Sequence, residues 1–301
     1  MFPCAAAPVS PLWADAGLVY CAVVWGATFY MVKDALSGVD PLALVAHRFL
    51  LSALMLAPWA LTRPARARHL KESAILAVLL FLLYATQTVG LGYTSASNSG
   101  FITGLFVIFV PAFMLALFKR PPTLVQWISS ALALIGLWLL TGGISTINFG
   151  DAITLVAAAT YAGHLLATDR YVRADADPLV LAFHQFWMTG LMAAAATGIT
   201  GRSFAVGSTS SAGTIAFLAA VPTLSAFFIQ MWAQKFTQPI KVSLIFSLEP
   251  VFAALFAWTL GGEDFVPARA AGGGLIVAAM MAGELSKLDL LKGRRKEILP
   301  S

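Results

Sequence analysis

Long apolar stretches alternate with short polar connections along almost the whole chain. A membrane-spanning helix needs about 20 mostly apolar residues, and ten stretches approach or reach that length. The connections between them are rich in Gly, Pro, Ser and charged residues and leave no room for a soluble domain. The pattern therefore predicts ten transmembrane helices, at 16–32, 41–61, 73–93, 100–117, 124–140, 152–168, 179–199, 212–232, 242–260 and 270–285.

The second half of the chain repeats features of the first half. The tripeptide Asp-Pro-Leu at 40–42 recurs 137 residues later, at 177–179, and Pro111 has a counterpart 139 residues later in Pro250. Five helices per repeat is an odd number, so the second repeat must enter the membrane from the opposite side. Inverted repeats of this kind underlie alternating access in many secondary transporters, which bind substrate near the bilayer midplane.

The fold class predicted from these patterns is an all-α polytopic membrane protein with ten transmembrane helices in two inverted five-helix repeats. We expect the first repeat at 16–140, the second at 152–285, and a basic cytoplasmic tail at 286–301. The first basic residue, Lys33, follows the first apolar stretch. A cleavable signal begins with a basic region, so the first stretch is expected to remain in the membrane.

Composition excludes an ordinary soluble protein. Of the 301 residues, 59% are hydrophobic and 11% are charged, whereas soluble domains have about 25% charged residues. The net charge of +5 does not indicate nucleic-acid binding, because the basic residues lie in short clusters between apolar stretches. Cys4 and Cys21 form no CxxC pair, so neither a metal nor a redox centre is expected.

The basic residues also predict the orientation of the chain. With the N-terminus in the cytoplasm, 15 of the 19 Lys and Arg residues lie on the inner side, three lie on the outer side, and Arg48 lies within a helix. Cytoplasmic loops of membrane proteins carry such an excess of Lys and Arg. Both termini are therefore expected in the cytoplasm, and the tail is expected to contact anionic lipid or simply to be solvated.

Several motifs resemble the EamA domain of the drug/metabolite transporter superfamily. They are the stretch 248–255 (Leu-Glu-Pro-Val-Phe-Ala-Ala-Leu) followed by Gly-Gly-Glu at 261–263, the stretch 109–113 (Phe-Val-Pro-Ala-Phe), Trp25-Gly26 and Arg48-Phe49. The resemblance covers about residues 17–285 and is strongest to YddG-type exporters of aromatic and other amino acids. It implies a bacterial inner-membrane protein with a central cavity that exports amino acids by alternating access.

Polar side chains inside the apolar stretches are the candidates for a substrate site, because a charge at the bilayer centre costs about 2.5–3.5 kcal/mol. Tyr161 and His164 are three residues apart, which places them on one helix face, and so are Tyr84 and Gln87. Trp25 lies near the middle of its helix. We predict that these five residues border one substrate-binding cavity, against the alternative that they serve only core packing.

Glu249 and Pro250 are predicted to act in gating. Proline removes a backbone donor and kinks a helix. Counting residues places Glu249 in the inner half of its helix, where water and nearby Lys241 would keep it charged. Arg48 is expected to be structural and to extend towards the outer surface, since the second repeat has Gln185 in its place.

The predicted function is a secondary transporter, without a cofactor, that carries a small-molecule substrate through the lipid bilayer. Its oligomeric state is expected to be a monomer or a weak homodimer. A multidrug or lipophilic-cation exporter of the same fold is the first alternative. A lipid-modifying membrane enzyme is the second, but its candidate groups, His47, His164, His184 and Glu249, come from different helices and depths. No HExxH, GxSxG or P-loop motif occurs in the sequence, so coupling to ATP hydrolysis is not expected.

Overall fold

A computed structural model describes residues 11–64, 67–143, 147–259 and 264–298, with the side chains of 11, 96, 97, 257 and 284–298 left out. The helices, in chain order, are α1 (Pro11–Ala35), α2 (Pro41–Ala60), α3 (Leu70–Tyr93), α4 (Ala96–Gly104 and Phe106–Ala116), α5 (Leu124–Thr141), α6 (Phe149–Arg173), α7 (Pro178–Ile199), α8 (Thr209–Leu218, Ala219–Ser225 and Ala226–Gln234), α9 (Pro239–Phe246 and Glu249–Thr259) and α10 (Pro267–Ile298).

Nine of these helices, α1 to α9, are long and apolar enough within the described residues to cross a membrane. The tenth, α10, packs along α5 and continues to Ile298. The predicted all-α fold is therefore confirmed. The predicted tail at 286–301 is helical as far as Ile298, but its side chains lie outside the described residues, as do Gly261, Gly262 and Glu263 of the sequence motif.

The local sequence explains where several helices begin. Asp40 and Asp177 cap α2 and α7, each through a side chain that accepts a bond from a backbone N–H of the first turn, and each helix then opens with proline. Side-chain caps of this kind satisfy N–H groups that have no partner within the helix, and proline is favoured at the first helical position. The repeated Asp-Pro-Leu motif is thus a repeated helix start.

The packing of the helices has the symmetry expected of inverted repeats. Helix α5 packs along α10 and α2 packs along α7, so corresponding helices pair with each other. Helix α3 packs along α6, and α8, the counterpart of α3, packs along α1, the counterpart of α6. This set of pairs maps onto itself when the two halves of the chain are exchanged.

The helix ends gather at two opposite faces. At the first, the Asp40 face, Arg202 forms an ion pair with Asp40 at 2.8 Å, and Gly207 N–H donates to Gly38 O at 2.9 Å. The hydrogen bond and negative charge of Asp40 raise the pKa of Arg202, so the guanidinium remains charged. At the second, the Asp15 face, Lys241 pairs with Asp15 at 2.6 Å.

Among the described residues, three helices are interrupted inside the bundle. Helix α4 breaks at Leu105, and α9 breaks at Ser247 and Leu248, directly before Glu249 and Pro250. The prediction that α9 is distorted beside Pro250 is confirmed. Helix α8 contains a π-helical segment, Ala219–Ser225, around Pro222. Interrupted helices at membrane depth are typical of transporter sites, because they supply backbone groups to a cavity.

Candidate functional site

A central cavity lies among helices of both repeats. Its wall is formed by α1, α2, α3, α6, α8 and α9, and its lining residues include Trp25, Arg48, Tyr84, Gln87, Tyr161, Phe227 and Glu249. In the structure α2 contributes Arg48, while α4 supports the wall through Thr103, which accepts a 3.1 Å hydrogen bond from Gln87 Nε2.

The cavity extends from the middle of the bundle towards the Asp40 face. Val32 of α1 and Leu91 of α3 line the end of the cavity that is nearer the Asp40 face. Lys33 Nζ donates to the carbonyl oxygen of Leu91 at the end of α3. The cavity volume is about 40 Å³, which holds about three water molecules. This conformation is therefore nearly closed, and the walls must separate before an organic substrate can enter.

An aromatic layer closes the cavity on the side of the Asp15 face. The Trp25 ring packs against Phe227 at 5.2 Å, Phe246 at 5.0 Å and Tyr161 at 6.5 Å between centroids. Phe106 also packs against Tyr161, at 4.4 Å between centroids. Tilted and edge-to-face contacts of this kind are the favoured arrangements of aromatic rings. The layer separates the cavity from the Asp15 face.

Two buried residues of opposite formal charge face the cavity. Arg48 is 2% exposed and Glu249 is 5% exposed. The Arg48 Nη2 group donates to Tyr84 Oη at 3.3 Å, and the guanidinium carbon lies 4.6 Å from the centre of the Tyr84 ring. Tyr161 Oη donates to Glu249 Oε1 at 2.9 Å. Among the ion pairs of the described residues, none joins Arg48 to Glu249.

Four of the five predicted substrate-binding residues line the cavity: Trp25, Tyr84, Gln87 and Tyr161. The fifth, His164, is placed elsewhere. It is fully buried between α6 and α7, with Nε2 bonded to Gln185 Oε1 at 2.9 Å and its ring edge-on to Phe227. The spacing of three residues does put it on the Tyr161 side of α6, but α6 is rotated so that only Tyr161 reaches the cavity.

The expectations for Arg48 and Glu249 need correction. Arg48 does not extend to the surface, because Thr223 of the π-helical segment and Tyr84 hold it inside the bundle. Glu249 does not face cytoplasmic water beside Lys241. Lys241 pairs with Asp15, and the break in α9 points Glu249 at Tyr161. Pro250 distorts α9 but does not line the cavity.

Residue types in the cavity indicate binding and not bond-breaking chemistry. In the described part of the chain, no three His, Cys, Asp or Glu side chains gather as metal ligands. The cavity offers aromatic faces, one guanidinium, one carboxyl group, and the amide of Gln87. This combination resembles a small-molecule site, in which apolar walls hold a few well-placed polar groups.

Comparison with known proteins identifies the class. The sequence profile of the EamA-like transporter family matches residues 12–142 and again residues 148–282, one match for each set of five helices. The chain therefore belongs to the EamA-like transporter family, within the drug/metabolite transporter superfamily. It is a multi-pass membrane transporter.

Proteins of similar sequence are described as transporters. An uncharacterized transporter of Archaeoglobus fulgidus is 31% identical over 91% of this chain and 86% of that protein. The uncharacterized inner membrane transporter YedA of Escherichia coli is 25% identical over 88% of each chain. A solved crystal structure matches with a TM-score of 0.78 over 92% of this chain and 98% of that chain, at 17% identity, which supports the fold alone. Both sequence relatives are described as transporters, which supports transport over enzymatic activity.

Proposed function

We propose that this transporter exports zwitterionic amino acids, aromatic and other neutral ones, across the bacterial inner membrane by alternating access. The observation that carries the proposal is the pair of opposite charges in one cavity, Arg48 and Glu249, each bonded to a tyrosine and not to the other. Buried charges are costly when they are not paired. A ligand that brings a carboxylate to Arg48 and an ammonium to Glu249 neutralises both.

The aromatic groups around the charges suit the rest of such a ligand. Trp25 and Phe227 offer ring faces beside Glu249, and an ammonium group is attracted to such faces. The same rings favour a large apolar side chain, through stacking and burial. The site therefore fits a neutral amino acid better than a sugar or a phosphate ester.

Arg48 also separates this proposal from the lipophilic-cation alternative. A cation exporter needs a carboxylate beside aromatic rings, which Glu249 supplies. It gains nothing from a buried guanidinium in the same cavity, since like charges in a medium of low polarity repel. The presence of Arg48 thus favours a zwitterion over a cation.

The proposed transport cycle follows from the asymmetry of the cavity. The lining continues towards the Asp40 face, while the aromatic layer and the Asp15–Lys241 pair lie on the other side. We place the Asp15 face in the cytoplasm, because the basic residues are in excess on that side. In this account the substrate enters when the aromatic layer parts and leaves past the Asp40–Arg202 pair, driven by its own gradient or by proton exchange.

The test uses purified protein in proteoliposomes preloaded with unlabelled substrate. Counterflow of labelled phenylalanine, leucine and alanine is expected, with competition by other neutral amino acids and little competition by tetraphenylphosphonium. Counterflow of tetraphenylphosphonium without counterflow of any amino acid would favour the multidrug alternative and contradict the proposal. Empty liposomes and the Arg48→Gln/Glu249→Gln double variant serve as controls.

A further inference from the structure

The π-helical segment of α8, Ala219–Ser225, is held by residues of α1 and α2 that also form the cavity. In a regular α-helix, Ala226 N–H would donate to Pro222 O. Here it donates to Val221 O and Thr223 O. The indole Nε1 of Trp25 donates to Pro222 O instead, at 2.7 Å. Single π-helical turns are rare and frequently occur at functional sites.

A chain of hydrogen bonds leads from this segment to the cavity. Pro222 has no N–H and cannot donate to Leu218 O, four residues earlier. The Thr223 hydroxyl donates to that carbonyl oxygen at 2.7 Å. Because the hydroxyl proton of Thr223 is used in this bond, the hydroxyl oxygen can only accept a further hydrogen bond. Arg48 Nε donates that bond to Thr223 Oγ1. The hydrogen bonds therefore connect Leu218 O to Thr223 Oγ1 and Thr223 Oγ1 to Arg48 Nε.

We propose that Thr223 is the positioning residue for carboxylate recognition: its hydroxyl, oriented by the proline-distorted turn of α8, holds the Arg48 guanidinium against Tyr84 and into the cavity. This inference rests on the proposed function, because it assigns the substrate carboxylate to Arg48. It goes further by placing the selectivity of the site in a residue that is not among those lining the cavity.

The geometry of the guanidinium group explains how the single hydroxyl of Thr223 can orient Arg48. Arginine has five N–H donors in a rigid plane. Thr223 binds Nε, and Tyr84 binds Nη2 and lies against the plane. These contacts fix the long, flexible side chain in one orientation before the substrate arrives. Ordering such a side chain on binding weakens affinity, so a preordered guanidinium binds a carboxylate more tightly.

A purely structural role for Thr223 is the competing explanation. Threonine commonly returns its hydroxyl bond to its own helix, and Thr197 of α7 does so, donating to Ala193 O at 2.8 Å. Thr197 and Thr223 are both fully buried. Only Thr223 also accepts a bond from a cavity residue, so Thr197 is a matched control for the loss of a buried hydroxyl.

The experiment measures the KM for phenylalanine counterflow, together with inhibition by phenethylamine, which has the amine and ring of phenylalanine but no carboxylate. The variants are Thr223→Val, Thr223→Ser, Arg48→Gln, the double variant Thr223→Val/Arg48→Gln, and the control Thr197→Val. Valine removes the hydroxyl at nearly constant volume, and serine retains it. The double variant shows whether Thr223 acts through Arg48, because coupled residues give non-additive effects.

The expected result is a KM for phenylalanine about tenfold higher in Thr223→Val, with phenethylamine inhibition unchanged. Thr223→Ser and Thr197→Val should resemble the wild type. In the Arg48→Gln background the same valine substitution should change KM less than about twofold. An equal rise in both backgrounds, or no rise in either, overturns the positioning role. An Arg48→Gln variant with unaltered KM for phenylalanine refutes instead the carboxylate assignment in the proposed function.

Discussion

Tyr161 Oη donates a 2.9 Å hydrogen bond to Glu249 Oε1, which joins the middle of α6 to the point where α9 is interrupted. Both residues are buried at the wall of the central cavity. The bond therefore gives the carboxyl group a donor inside the bundle, and it links two helices of the second repeat at the level where substrate is proposed to bind.

Replacing Tyr161 with Phe should lower the thermal stability of the protein in detergent. A hydrogen bond to a charged group contributes about 1.5–3 kcal/mol, and the substitution leaves the Glu249 carboxyl group without that donor. In a Glu249→Gln background the same replacement should lower the unfolding temperature less, because a hydrogen bond to a neutral amide contributes less stability than one to a carboxylate. Thermal unfolding midpoints of the four proteins check this coupling.

Tyr30→Phe is the control for that experiment, because Tyr30 lies on α1 with 77% of its surface exposed. It should leave the midpoint unchanged. If Tyr161→Phe destabilises the wild type and the Glu249→Gln variant equally, the hydrogen bond is not the source of the effect, and the structural link is wrong.

Close packing of α5 against α10 should depend on Gly272. A Cβ atom built at Gly272 would clash with the backbone nitrogen of Leu140 and lie 2.6 Å from Gly136 O, whereas at Gly274 nothing lies within 4 Å. Small residues permit such close approach of membrane helices. Gly272→Ala should therefore reduce the unfolding temperature and the yield of folded protein, and Gly274→Ala should do neither. Equal stability of the two variants would contradict the packing.

Both termini should be cytoplasmic. In a variant with Cys4 replaced by Ser, a cysteine placed at Ser301 should resist an impermeant thiol reagent added to intact cells and should react after the membrane is opened. A cysteine at Ser37 should react from outside, because Ser37 is exposed at the Asp40 face, which is opposite the proposed cytoplasmic Asp15 face. Labelling of position 301 in intact cells would reverse the assigned orientation.

The helices and their order were predictable because each has a strong and simple cause. Twenty apolar residues between polar connections have few alternatives to a spanning helix. The repeated Asp-Pro-Leu motif marks two equivalent helix starts, and the caps at Asp40 and Asp177 are formed as such motifs require. Even the distortion at Pro250 follows from chemistry within one helix.

The site was only partly predictable, because it depends on how helices rotate against one another. The spacing along α6 puts Tyr161 and His164 on one side of the helix. Because α6 packs against α7, however, His164 forms a hydrogen bond with Gln185 and does not reach the cavity. Residue counting placed Arg48 within reach of the surface. Its actual partners, Thr223 and Tyr84, are 175 and 36 residues away in sequence. Pro222 was the one signal in the sequence that could have pointed to the π-helical segment.

Recognition of a zwitterion by Arg48 and Glu249 is the central claim, and the most direct measurement compares three ligands that share one ring. Phenylalanine has both charges, phenethylamine has only the ammonium, and 3-phenylpropionate has only the carboxylate. Their inhibition constants against labelled phenylalanine are measured for the wild type, Arg48→Gln and Glu249→Gln. The exposed Asp34→Asn serves as the control.

The wild type should prefer phenylalanine to either fragment by about tenfold or more, given the strength of charge-assisted hydrogen bonds. Arg48→Gln should remove the preference over phenethylamine while keeping the preference over 3-phenylpropionate, and Glu249→Gln should do the reverse. Asp34→Asn should leave all three constants unchanged. If both cavity substitutions leave the ratios of the three inhibition constants as they are in the wild type, Arg48 and Glu249 do not recognise the charged groups of the substrate. That result would contradict the account.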